Sequence, residues 1–61
     1  MYRCHFTRSG HVVSGHYLLA TTLEEAIEEA QDILAKIAAS ERDPPTGFEI
    51  WVLSNLIYTS D

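Results

Sequence analysis

The chain has 61 residues, a formal net charge of −5 and a single cysteine, Cys4. One domain and one core fill that length, and a lone cysteine excludes an intrachain disulfide or a cysteine-based zinc site. The four basic residues, Arg3, Arg8, Lys36 and Arg42, are scattered along the chain, so the basic stripe of a nucleic-acid binder is missing.

In chain order, Tyr2 to Thr7 alternates, with Tyr2, Cys4 and Phe6 on one side and Arg3, His5 and Thr7 on the other. Period two with aromatic content predicts a half-buried strand. Ser9-Gly10 is a tight-turn signal, since Gly supplies the positive φ that hairpins need, and His11 to Leu19 reads as the returning strand. A two-residue loop pairs Phe6 with Val13, Cys4 with Gly15 and Tyr2 with Tyr17. Thr22-Leu23-Glu24-Glu25 is a capping box, in which the Thr hydroxyl accepts from the third helical amide and the Glu reaches back to the cap. The acidic first turns suit the helix macrodipole. Leu23, Ile27, Ala30, Leu34 and Ile37 recur at helical spacing and predict a helix from about residue 22 to 39. Pro44-Pro45 cannot continue it. Phe48 to Leu53 alternates again, Ser54-Asn55 signals a turn, and Leu56 to Thr59 is the last strand.

These elements predict one α+β domain over residues 1–61 with ββαββ order. A right-handed crossover gives a four-stranded antiparallel sheet in the order 2-1-3-4, with the helix on one face. The helix takes Tyr2, Cys4, Phe6, Val13, Tyr17, Phe48, Ile50, Val52 and Ile57. The other face then holds Arg3, His5, Thr7, Val12, Ser14, His16, Leu18, Glu49, Trp51, Leu53, Leu56 and Tyr58. That is more apolar than a wet sheet face should be. Trp51, Leu53, Leu56 and Tyr58, with Val12 and Leu18, are therefore expected to form an interface with a second copy, since monomers rarely leave large apolar patches bare. A bulge that turns some of them inward is the competing arrangement. Chain length favours association, because a domain near 60 residues buries too little surface to be more than marginal alone.

Site chemistry is sparse. In the register above, His5 and His16 lie diagonally on the open face with Glu49 on the neighbouring strand, a weak candidate set for a metal. Surface histidines on strands account for the same residues. His11 has no such neighbours. Cys4 reads as a small core residue, because the adjacent His5 points to the opposite face and cannot activate it. No catalytic triad, phosphate loop or nucleotide fingerprint appears. The expectation is a protein that is not an enzyme and needs no cofactor. Without a signal-peptide pattern or an apolar run of about 20 residues, it is expected in the cytoplasm, away from membrane and nucleic acid.

Tyr2-Arg3-x-x-Phe6, Gly10-His11-Val12-Val13, Glu25-Ala26-Ile27-x-x-Ala30 and Gly47-Phe48-Glu49-Ile50-Trp51 resemble a group of short alphaproteobacterial proteins without assigned activity. The resemblance spans nearly the whole chain and implies a bacterial cytoplasmic protein. Over residues 11 to 37, the Gly-x-Val-Val strand and Thr22-Leu23-Glu24-Glu25-Ala26-Ile27-Glu28-Glu29-Ala30 are similar to the partial RNase-H-like domain of HicB antitoxins. That family implies an acidic module capturing a small basic RNase toxin. The chain departs from it in lacking one N-terminal strand, the Pro-Gly-Cys segment before the helix and a DNA-binding tail. The leading expectation is a binding or regulatory module that works as a homodimer, with antitoxin-like capture of a basic protein as the alternative.

Overall fold

The structure is a computed structural model that describes residues 1–60. Strands β1 (Tyr2–Arg8) and β2 (His11–Tyr17) precede helix α1 (Leu23–Ser40), and β3 (Gly47–Val52) and β4 (Asn55–Thr59) follow it. The strands form one sheet in the order β2-β1-β3-β4, every neighbouring pair antiparallel. Fold class and strand order are those predicted from the sequence.

The first hairpin turns through Ser9 and Gly10, whose φ angles of 53° and 80° are the paired positive values of a type I′ turn. The second turns one residue earlier than Ser54-Asn55. Leu53 leads it at φ 54°, and Val52 pairs with Asn55 to close it.

At the helix start, the Thr22 hydroxyl accepts from the Glu25 amide at 3.2 Å. The reciprocal arm differs from the predicted box. The Glu25 carboxylate accepts from the amide and hydroxyl of Thr21, at 3.2 and 3.0 Å, one residue before the cap. A second carboxylate, Glu29, accepts from the amides of Leu19 (2.9 and 3.0 Å to its two oxygens) and Ala20 (2.9 Å), tying the β2–α1 connection to the helix. Neither amide has a place in the sheet ladder, and unpaired backbone donors are costly to shield from water.

The helix lies across the two central strands, β1 and β3. Ala26 and Ala30 are its buried residues; lacking bulk, they bring the helix close to the sheet. The core is Cys4, Phe6, Leu18, Ala26, Ala30, Phe48 and Ile50, with Leu23, Ile27, Ile33, Leu34 and Ile37 half-buried around it. Two alanines and a cysteine among seven buried apolar side chains make a small core, the situation in which chains of this size gain most from a partner.

Two bulges correct the predicted register. Arg8 faces His11 and Thr7 faces Val12, as a two-residue loop dictates, but Phe6 then faces Ser14, Cys4 faces His16 and Arg3 faces Tyr17. Val13 is the extra residue, and past it every β2 side chain changes face. Ser14 and His16 therefore lie on the helix side and Tyr17 on the open side, the reverse of expectation. Leu18, expected in the interface, is core at 4% exposure. In β4, Ile50 faces Tyr58 while Trp51 faces Leu56, so Ile57 is extra. Tyr58, also expected in the interface, turns to the helix side and stacks on Phe48 with ring centres 5.9 Å apart. Both shifts place a large side chain against the core that strict alternation leaves outside.

Candidate functional site

The open face of the sheet is built from two rows that each cross all four strands. In the first, Tyr17, Arg3, Trp51 and Leu56 are successive cross-strand partners. Directly opposed side chains lie about 4.5–5.5 Å apart at Cβ, so this row is a continuous band with Arg3 between Tyr17 and Trp51 in the register. Tyr17 is 73% and Leu56 47% exposed; Trp51 and Arg3 are half-buried. The Arg3 guanidinium donates to the Leu53 carbonyl at the β3–β4 turn, which holds it along the row.

The second row is Gly15, His5, Glu49 and Thr59. Glu49 Oε1 accepts from the Trp51 indole nitrogen at 3.1 Å and lies 3.9 Å from His5 Nδ1. The His5 and Trp51 rings are 5.6 Å apart and tilted by 42°. One carboxylate therefore orients the indole and neighbours the imidazole. Gly15 has no side chain, and a Cβ built there would stand 3.4 Å from the His5 ring; a depression of about 400 Å³ between β1 and β2 is lined by Arg3, Cys4, His5, Gly15, His16 and Tyr17.

Of the residues expected at the interface, Trp51 and Leu56 lie in the first row. Val12 faces Thr7 across the first hairpin and is exposed. Leu53 is exposed at the turn rather than on the sheet face, and Leu18 and Tyr58 pack with the core. Sequence reasoning placed Arg3 on this face but missed Tyr17 and Gly15 beside it, because the extra residue at Val13 decides which side of β2 they take. The one signal was the size of Leu18, which a register keeping it outside leaves without a home.

The metal candidates separate. His5 and Glu49 are neighbours on the open face, but His16 lies opposite Cys4 on the helix side, its ring edge-on to Phe6 at 5.3 Å. Among the described residues no three His, Cys, Asp or Glu side chains come together in a group that could hold a metal ion. Cys4 is fully buried. Burial, and after it the charges of Glu29 and Glu49, push its thiol up to about 12, so at neutral pH it is protonated and no nucleophile. What the face can do chemically is present aromatic, apolar and opposite-charge contacts to another surface. No helix among the described residues is long and apolar enough to cross a membrane. No protein-family model matches the chain, and neither does any curated protein or solved structure.

Proposed function

We propose that the chain is a small non-enzymatic binding module of the cytoplasm that works as a homodimer through the open face of its sheet. The observation that carries this reading is the Tyr17–Arg3–Trp51–Leu56 row, an aromatic and apolar band across the whole sheet. A two-fold interface must be self-complementary, and this face has the parts for it. Arg3 and Glu49 occupy adjacent rows, so a second copy can set its Glu49 against Arg3 and its Arg3 against Glu49. Gly15, with no side chain, leaves a low point in the second row, and the exposed Tyr17 and Leu56 offer projections.

Size sets the strength. Strands about 4.8 Å apart and about 3.3 Å per residue give a face of roughly 400 Å² per protomer. Two such faces bury about 800 Å², under the lower bound of about 1,000 Å² for a tight specific complex. The dimer is accordingly weak and concentration-dependent.

Sedimentation of purified protein from low micromolar to near-millimolar concentration tests the reading. The mass should rise to that of a dimer. Arg3→Glu and Glu49→Arg should each weaken it, and the double variant should restore it, with circular dichroism confirming that each variant is folded. A wild-type mass that stays monomeric over the whole range overturns the proposal.

A second reading is favoured by one observation. Glu24, Glu28 and Asp32 follow one another at four-residue spacing on the exposed side of α1, and the ion pairs found among the described residues, His5–Glu49 and Arg8–Asp43, use none of them. Such a stripe suits a small basic protein, as the antitoxin-like resemblance implies. Co-expression with a small basic protein encoded beside it, followed by co-purification that Glu24→Lys/Glu28→Lys abolishes, would support capture through the helix. Failure of a folded pair to co-purify removes it.

A further inference from the structure

We infer that β2 carries a second self-association surface, its free edge pairing antiparallel with β2 of another copy so that two sheets join into one of eight strands. It uses the backbone edge of β2 rather than the open face, with Tyr17 common to both, and does not depend on the open-face dimer.

The first observation is how bare β2 is. Every residue from His11 to Tyr17 is exposed except Ser14, which is half-buried. The helix rests on β1 and β3, leaving β2 uncovered on the helix side as well as on the open side and along its edge. The other edge strand, β4, is mostly exposed too, but its extra residue, Ile57, interrupts the ladder between Leu56 and Tyr58 in mid-strand, and a bulge is one of the devices that blunt an edge.

The second observation is the state of the edge itself. The Leu18 amide donates to the Tyr2 carbonyl at 2.9 Å. Antiparallel ladders alternate bonded and non-bonded pairs, so in the same register Ser14 and His16 bond inward to β1. The amides and carbonyls of Gly15 and Tyr17 then point out along the free edge. Natural edges are usually blunted by proline, lysine, inward-pointing charges or bulges. His11–Tyr17 has no proline, lysine, arginine or carboxylate, and its bulge at Val13 lies toward the turn, leaving Ser14 to Leu18 regular.

A second copy is the occupant that the charges favour. The chain carries −5 overall, yet β2 contributes no formal charge, so pairing it with itself sets no like charges opposite one another. A two-fold axis at Gly15 places His16 against Ser14 of the other copy on the helix side, polar with polar, and brings each Tyr17 to the other copy's Val13 where the bulge begins. The two helices, each over its own β1 and β3, then lie about four strand spacings apart, roughly 19 Å. That exceeds both the packing distance of about 8–10 Å between helices and the Debye length of about 8 Å at physiological salt, so the acidic stripes neither clash nor repel strongly.

Amide hydrogen exchange followed by NMR at low and high protein concentration tests the pairing. Exchange at Gly15 and Tyr17 should slow at least tenfold as concentration rises, and Val13→Lys should abolish the slowing while leaving the melting temperature within a few degrees. Packing through the open face is removed by Arg3→Glu, which does not touch the edge, so the slowing at Gly15 and Tyr17 should survive in that variant. Unchanged exchange at Gly15 and Tyr17 across a range that reaches near-millimolar protein overturns the inference, whether or not sedimentation detects dimers.

Discussion

Glu49 accepts the indole N–H of Trp51 at 3.1 Å, two positions away on the same strand and the same face. An indole donor and a carboxylate that both point out of a sheet have no structural need of each other, since water would satisfy either. Their bond lays the ring along the face toward His5 rather than letting it stand into solvent. A rotamer fixed in the free protomer loses less entropy on association, which is the gain from preorganisation.

Trp51 is the only tryptophan, so its emission reports the open face directly. On dilution from near-millimolar to low micromolar protein, the emission maximum should move to longer wavelength as the ring is uncovered. Glu49→Ala should weaken association by at least about 1–2 kcal/mol, one ordered rotamer from each protomer besides the lost pairing with Arg3 of the other copy, and shift that transition to higher concentration. Emission independent of concentration in a sample that sediments as a dimer would place Trp51 outside the contact.

The sequence made some features legible because they are local. The capping threonine, the helical spacing of Leu23 to Ile37 and the alternation of β1 and β3 each lie within one segment, and together they dictate the strand order. What escaped was non-local. An extra residue at Val13 or Ile57 leaves no periodic mark, yet it reverses the faces of His16, Tyr17 and Tyr58 and sends Leu18 into the core. The shift wins because burying a large side chain is worth about 1.5–3 kcal/mol, more than one disturbed ladder position costs. The site inherits that decision, so the proposed metal set dissolved and Tyr17 joined the open face.

Glu29 has the clearest structural role among the acidic residues. Its carboxylate takes the amides of Leu19 and Ala20, and hydrogen bonds to a charged group are worth about 1.5–3 kcal/mol. Glu29→Ala should therefore lower stability by about 2 kcal/mol, or roughly 10 °C in melting temperature for a domain this small. Glu28→Ala, one position along and exposed, should change it by less than about 0.5 kcal/mol. Equal losses at the two positions would show that the clamp is not the cause.

Glu25 sets an acid limb. Its carboxyl is held below the ordinary value of 4.5 by hydrogen bonds from Thr21, amide first and hydroxyl second, with burial opposing and bonds at Thr22 adding less. A depressed native pKa gives stability that is present above the unfolded value and is lost as pH falls through the native one. Unfolding titrations should thus show the loss beginning below about pH 4.5. Glu25→Gln should be less stable than the wild type at pH 7 and flatter below pH 4.5. An unaltered slope would remove the cap's carboxylate from the account.

Cys4 sets the alkaline counterpart. Its thiol stands at about 12 in the folded protein against 9.0 for a free one, so the stability it contributes is complete below pH 9 and declines as pH rises toward 12. At pH 8 a thiol reagent should modify the native protein only through unfolding, at a rate that rises with denaturant. Fast modification without denaturant would mean that the thiol is reachable from the native surface.

Leu53 is 78% exposed and holds φ at 54°, a left-handed conformation that costs a residue with a Cβ roughly 1 kcal/mol or more. Ser9 accepts a similar angle at the first hairpin, but beside Gly10 and with a small polar side chain suited to a turn. A leucine at such a position gains nothing from burial within its own protomer, and its carbonyl, which holds the Arg3 guanidinium, is present with any side chain. Leu53→Gly should therefore raise stability by about 0.5–1 kcal/mol, several degrees in melting temperature, while keeping the Arg3 contact. If the leucine is retained for contact with another molecule beside Arg3 and Trp51, the same variant should be more stable and dimerise less. Thermal melts paired with sedimentation separate the two effects, and a destabilised Leu53→Gly would mean that the side chain supports the hairpin itself.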